Sequence, residues 1–457
     1  MTKQEILDRL SRMEEENAAR TAALTDRCSL EDYRSLTVEK DGLLIWTAAL
    51  QAALNEHEIV EIPVSEEIYW IDNTVVIPSN RAIFAHGAVI RLTSDTTVLM
   101  LRNEHTLDGT HRPISREDSD ANIAIFGGFW EESSTGRAGY GRTGKYDEAR
   151  SFFGVSTLMY FGNMSRLTMK DVTFVHTAGF SVQTGDAENL WFENITFSEC
   201  FADGLHLNGN SKNIVTRNIH GQVGDDLVAL NMYDWQNSSV NFGPTDCVLC
   251  ENLELSADSR YKALRIEPGT YYYDEPFGEV DCALTNAVIR DVRGITTFKM
   301  YYQTPGYAIG TAPERGAVGS ADWLYFEDIS VDLDHPIDGF GQYQNSDPVR
   351  GAFGSFELGS NIGHIAFENI RLTLHRDRYP LTWLVVCGPK SICDGKYEVF
   401  DPYLSNEIGE LTLKNITVNG QPAQSADDLV HVTSFDNVNN DSHSTGSGAI
   451  HKIIFEK

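Results

Sequence analysis

The sequence predicts an all-β solenoid, a single-stranded parallel β-helix closed at its N-terminal end by helices. Three observations predict it. A short strand-like motif recurs along the chain, an Asn or Asp occupies the same place in each copy, and neighbouring copies lie as little as 23 residues apart. No strand-rich fold with four strands per unit fits that spacing, since a propeller blade needs about 40 residues.

The motif is a turn residue, alternating apolar positions, an Asn or Asp, and more alternation. It reads NMSRLTMKDVTF, AENLWFENITF, SKNIVTRNIHG, TDCVLCENLEL, VDCALTNAVIRDV, ADWLYFEDISV, IGHIAFENIRL and IGELTLKNITV. The marked residues are Asp171, Asn194, Asn218, Asn252, Asp291, Asp328, Asn369 and Asn415, with gaps of 23, 24, 34, 39, 37, 41 and 46. Alternation sends every second side chain inward. One turn cannot bury its apolar side alone, so turns must stack. The longer gaps are loops inserted at the bends. Asn and Asp tolerate a left-handed backbone and can bond to their counterparts in adjacent turns. We therefore assign the recurring residues a structural role.

The N-terminal part has a different period. Residues 4–25 and 45–56 (the latter IWTAALQAALNE) read as helices by apolar spacing and propensity. IVEIPVSEEIYWI, NTVVIPSNRAIFA and GAVIRL follow as strands. Residues 1–60 are thus expected to cap the solenoid, protecting its open edge, and residues 61–457 to form the β-helix catalytic domain. Segments 103–121 and 131–150 are polar and Gly-rich and read as long loops beside a groove.

The 36 basic and 66 acidic residues give a formal charge of −30. That argues against nucleic acid and anionic membranes as partners, because both are bound through clustered Lys and Arg. No apolar run approaches the ~18 residues that cross a bilayer, and the charged start lacks the apolar core of a secretory signal. Seven scattered cysteines suit reduced thiols and a cytoplasmic location better than a disulfide framework. Cys247 and Cys250 form a CxxC without a second pair, which points to core positions rather than zinc. No metal or cofactor is expected.

The segment FADGLHLNGNSKNIVTRNIHGQVGDDLVALN carries the chemistry. Asp203 lies 22 and 23 residues before Asp225 and Asp226, against a local repeat of 23 to 24. One circuit therefore places the three carboxylates on adjacent turns, roughly 5 Å apart along the axis. Like charges that close raise at least one carboxyl pKa, setting an acid beside ionised bases. Glycosidic hydrolysis needs that pairing. His206 and His220 flank the cluster; simple alternation puts His206 on the face opposite Asp203, as a core or surface histidine. His176 is expected one turn below Asp203, lining the groove. Tyr233, Tyr272 and Tyr302 are candidate platforms for sugar rings.

The pairing of FADGLHLNG with GDDLVALN resembles glycoside hydrolase family 28, the polygalacturonases, whose hallmark is an Asp-Gly turn followed about twenty residues later by Gly-Asp-Asp. TAALQAAL, IVEIPVS and NTVVIPSNRAIFAHGAVIRL also resemble the opening of that superfamily. The resemblance covers residues 40–420. It implies a right-handed parallel β-helix and a metal-free inverting mechanism. It makes Asp225 the general acid, with Asp203 and Asp226 holding and deprotonating the attacking water across about 6.5–9.5 Å. Two family elements differ here. Gly-His-Gly aligns with RYKALRIEPG, which offers Lys262, Arg265 and Glu267. Arg-Ile-Lys aligns with TFKMYYQ, which offers Lys299. The substrate contacts expected from these stretches are Lys262, Arg265, Glu267 and Lys299.

The expected function is a glycoside hydrolase, acting on a galacturonide or another α-linked sugar at the end of an oligosaccharide. Two other classes compete. One is a β-eliminating polysaccharide lyase with Lys262 or Arg265 as base and calcium held by the aspartates. The other is a non-catalytic carbohydrate-binding β-helix.

Overall fold

The computed structural model describes residues 1–93, 99–106, 117–136, 157–233, 240–257, 259, 263–272, 278–293, 298–300, 318–333, 353–388, 405–433 and 447–457. The chain coils as the sequence predicts, into a right-handed parallel β-helix. Each turn contributes to three faces. The first face begins with Arg27–Ser29 and Ile59–Glu61 and runs through the middle of the long strands to Ser447–Glu456. The second begins with Leu43–Ile45 and passes through Tyr69–Ile71, Val89–Leu92, Phe129–Glu131 and Thr173–Val175. The third runs from Val75–Ile77 through Leu205–Asn208, Val228–Asn231 and Leu264–Glu267 to Val430–Val432.

Inward positions form one continuous core. Leu190, Ile214, Val248, Ala287 and Leu324 stack in register along the first face. Leu205, Val228 and Leu264 do the same on the third. The recurring Asn and Asp turn the chain. All eight have φ between 51° and 58°. Where they meet, they bond along the axis: Asn194 Nδ2 donates to Asp171 (2.8 Å), Asn218 to Asn194 (2.9 Å) and Asn252 to Asn218 (2.7 Å). Asn369 and Asn415 continue the pattern from Asp328 at 2.9 and 2.7 Å.

The two N-terminal helices do different jobs. α2 (Thr47–Glu56) closes the first turn. Its Ala49, Leu50, Ala53 and Leu54 enter the core. Gln51 finishes the edge strand: its Nε2 donates to the Val76 carbonyl at 2.9 Å and its Oε1 accepts from the Val76 N–H at 2.8 Å. A side-chain amide thus stands in for the missing strand.

α1 (Lys3–Ala22) is not part of that cap; it lies along the outside of the first face. A capping box at Thr2 and Glu5 starts it. Twenty residues make a rod of about 30 Å, long enough to cross about six turns. Ile6, Leu10 and Met13 bury against Val215, Cys247, Leu249 and Val288. Polar contacts pin its length: Lys3 to Glu327, Arg9 to Asp246 at 3.0 Å, Glu14 to Arg217 at 2.5 Å, and Asn17 to the Asn189 carbonyl at 2.9 Å. Sequence periodicity finds the helix but not its docking surface.

The CxxC is structural. Cys250 faces the main core and Cys247 lies under α1. Burial pushes their thiols up to about 12 and about 11 respectively. Among the described residues six cysteines are free thiols, all buried. Of the two long loops, residues 107–116 and 137–150 lie outside the described residues.

Candidate active site

The register of the third face brings the aspartates together. Leu205 pairs with Val228 and Leu207 with Leu230, an offset of 23 residues. Carrying that offset back around the bend sets Asp226 directly over Asp203, with Asp225 beside it. One oxygen from each of the three carboxylates lies within 4.8 Å of the others.

The glycines of the two motifs permit this approach. A Cβ on Gly204 would meet the Leu227 carbonyl oxygen at 2.6 Å and the Phe197 ring at 2.8 Å. A Cβ on Gly224 would meet the Phe201 carbonyl oxygen at 2.4 Å. Neither bend can carry a side chain while the turns stay in contact.

The three aspartates are held differently. Asp203 is 1% exposed; Oδ1 accepts the Asp226 N–H at 3.1 Å and Oδ2 lies 2.5 Å from His206 Nδ1. In return the Asp226 carbonyl accepts the Gly204 N–H at 2.9 Å. Asp226 is 3% exposed and its Oδ2 lies 3.5 Å from Arg265 Nη1. Asp225 is the most accessible of the three, at intermediate burial. Arg265 also pairs with Glu267, Nη2 to Oε2 at 2.7 Å.

His206 belongs to the site, contrary to the alternation argument. The bend at Asp203–Gly204 resets the strand phase. Leu205 and Leu207 then point inward while His206 and Asn208 point outward, on the side of Asp203. The imidazole is 1% exposed, stacks on Phe180 at 3.8 Å and 11°, and has the amides of Asn208 and Asn231 beside it at 3.3–3.4 Å. The Asp-Gly bend was the available signal, because the strand begins only after it.

Other expected residues separate from the cluster. The Asp203 carbonyl accepts the Ser181 N–H, so Phe180 and Ser181, not His176, lie one turn below. His176 sits at another corner, between Glu131 (3.3 Å) and Glu199 (3.0 Å). His220 bonds Thr196 at 3.0 Å. Tyr233 is 3% exposed and packs in the core with Phe242 and Tyr271; its ring also covers Gly269. Its faces are occupied by packing rather than offered to a sugar. Lys262 and Tyr302 lie outside the described residues. Lys299 and Tyr272 fall in strands Phe298–Met300 and Gly269–Tyr272, with side chains outside the description.

No family model matches the chain, and no curated protein matches it. Solved structures do resemble it. The hyperthermoactive exopolygalacturonase of Thermotoga maritima aligns over 98% of this chain and 96% of its own, at 11% identity and a TM-score of 0.51. The family 28 exopolygalacturonase of Yersinia enterocolitica aligns over 94% and 78%, at 11% identity and a TM-score of 0.47. The polygalacturonase of Erwinia carotovora aligns over 86% and 95%, at 12% identity and a TM-score of 0.44. The Thermotoga likeness shows a shared fold.

Proposed function

We propose that the chain is a glycoside hydrolase acting on an oligosaccharide. The observation that carries this reading is the convergence of Asp203, Asp225 and Asp226 from adjacent turns, with oxygens within 4.8 Å. Asp225, the accessible one, protonates the leaving oxygen. Asp203 and Asp226 hold a water and take its proton. Oxygens within 4.8 Å of each other can both bond one water at ordinary hydrogen-bond lengths.

Oxygens within 4.8 Å of one another lie closer than the about 6.5–9.5 Å usual for inverting pairs, on the side of the about 5–5.5 Å of retaining pairs. Burial favours inversion. A nucleophile must touch the anomeric carbon, and Asp203 and Asp226 are 1% and 3% exposed. A water can reach between them where a sugar ring cannot. His206 and the Asp226 N–H engage both oxygens of Asp203, an arrangement suited to orienting a base. The long insertions between later turns support action at chain ends, on a galacturonide or another α-linked sugar.

A lyase reading would need a basic group that loses its proton. Of the two candidate bases, Lys262 lies outside the described residues; Arg265 is ion-paired to Asp226 and Glu267, and a guanidinium stays charged at any relevant pH. The test is the anomer of the first product, read by NMR during turnover. Inversion is expected; retention would replace water attack with a covalent intermediate. An unsaturated, ultraviolet-absorbing product would establish elimination instead.

A further inference from the structure

We propose that the reacting sugar is uncharged, and that Glu267 enforces this by neutralising the cation beside the carboxylate cluster. The inference rests on the hydrolase reading above. Among the described residues, Arg265 is the guanidinium placed against the cluster, 3.5 Å from Asp226. It is already committed. Its Nη2 lies 2.7 Å from Glu267, with side-chain exposures of 8% for Arg265 and 0% for Glu267.

The register builds this pair into the floor of the site. Arg265 and Glu267 alternate outward on strand Leu264–Glu267, over Ala229 and Asn231 of the turn below. Ala229 offers only a methyl, so the guanidinium can lean down to Asp226. Asn231 gives Glu267 a neutral neighbour. A buried ion pair of this kind adds little stability over an apolar substitute; its value lies in what it prevents.

Charge bookkeeping then decides the substrate class. With Asp225 holding the proton it delivers, Asp203, Asp226 and Glu267 are the anions, and among the described side chains one guanidinium faces them. A sugar carboxylate entering here adds a further negative charge, and among the described side chains the guanidinium beside the cluster is already paired. At about 6 Å and an effective dielectric near 20, one such contact disfavours binding on the order of a hundredfold. Sugar hydroxyls meet no such penalty, because carboxylates accept their hydrogen bonds. The ligand class is therefore a neutral α-linked glycoside.

The test compares aryl α-galactoside, α-glucoside and α-rhamnoside with aryl α-galacturonide, using wild type and Glu267→Gln. Wild type should cleave a neutral glycoside on the order of a hundredfold faster, in kcat/KM, than the galacturonide. Glu267→Gln keeps the shape of the side chain and removes one of the two carboxylates paired with the guanidinium. It should shift the ratio towards the galacturonide by roughly tenfold or more. Equal or faster wild-type cleavage of the galacturonide overturns the inference and leaves the hydrolase reading intact. Absence of turnover on every glycoside sinks the hydrolase reading. Calorimetric binding of galactose and galacturonate to wild type then still decides the charge preference, and tighter binding of galacturonate overturns it. The same wild-type titration serves if Glu267→Gln does not fold.

Discussion

Two columns of outward-pointing residues run along this solenoid, and they differ in chemical character. On the first face the column reads Trp191, Val215, Leu249, Val288 and Tyr325. α1 covers it with Ile6, Leu10 and Met13. On the third face the column reads Tyr160, Gln183, His206, Ala229 and Arg265, with Asn208, Asn231 and Glu267 two residues further along the strands. These side chains are just as buried: Gln183, Asn208, Asn231 and Glu267 are all 0% exposed. The coil and the inward residues are alike in both places. Apolar outward residues are stabilising when covered. Buried polar and charged ones cost desolvation and are retained where chemistry requires them. On the proposed function, the difference separates the wall that holds the molecule together from the wall that would do the chemistry.

Breaking the working wall should leave the fold intact. Asp225→Asn keeps the volume of the side chain and removes the acid. Turnover should fall by roughly 10²–10⁴, while the urea midpoint stays unchanged. Breaking the holding wall should do the reverse. Leu10 is 1% exposed beneath α1, and Leu10→Ala should cost about 2–5 kcal/mol, seen as a lower urea midpoint with kcat unchanged below the transition.

His206 sharpens the comparison, because it is buried yet assigned to the working wall. His206→Leu removes the contact to Asp203 and should lower kcat by as much as about 10²-fold, through a misplaced base, with little change in KM. His206→Asn can still donate to Asp203 and should recover part of the loss. A purely structural histidine would show parallel losses in both variants, tracking their stability.

The bend residues belong to neither wall. Asn218 bonds Asn194 on one side and Asn252 on the other. Asn218→Ala should cost about 1–2 kcal/mol from the strained left-handed backbone and the lost bonds, without effect on turnover.

Acid should act on the holding wall. Burial raises the Glu251 carboxyl, but Arg217 and Arg290 outweigh it and hold its pKa below the ordinary 4.5. Lys414 and Lys3 likewise lower Glu368. A lowered folded-state pKa gives stabilisation that is present above the ordinary value and lost as pH falls through the lowered one. Arg217 also binds Glu14 of α1, and Lys3 of α1 binds Glu368. Protection factors of the α1 amides, corrected for the intrinsic exchange rate at each pH, should therefore fall below the ordinary glutamate value, with a small effect near neutrality.

Much of this division was legible in the amino-acid order. The bends announced themselves through Asp171, Asn194 and Asn218, because this corner of each turn needs a left-handed residue and few residue types supply it. The aspartate cluster was legible because 23 residues separate Asp203 from Asp226 where the repeat is 23 to 24. His206 was misplaced because alternation was counted through a bend, where strand phase does not carry. Docking of α1 was missed although Trp191, Val215, Leu249 and Val288 form an apolar outward stripe. That stripe emerges only when turns with inserted loops of different length are laid in register. The Arg265–Glu267 pair was noticed as a cation and a carboxylate, but only their strand geometry shows that each neutralises the other.

The most direct test measures reducing-end release from a panel of aryl glycosides and oligosaccharides by wild type and Asp225→Asn in parallel, with both proteins shown to unfold at the same urea concentration. The account predicts turnover by wild type and its near-complete loss in Asp225→Asn. Equal turnover by the two proteins would contradict it, because the reaction would then proceed without the carboxylate placed to supply its proton.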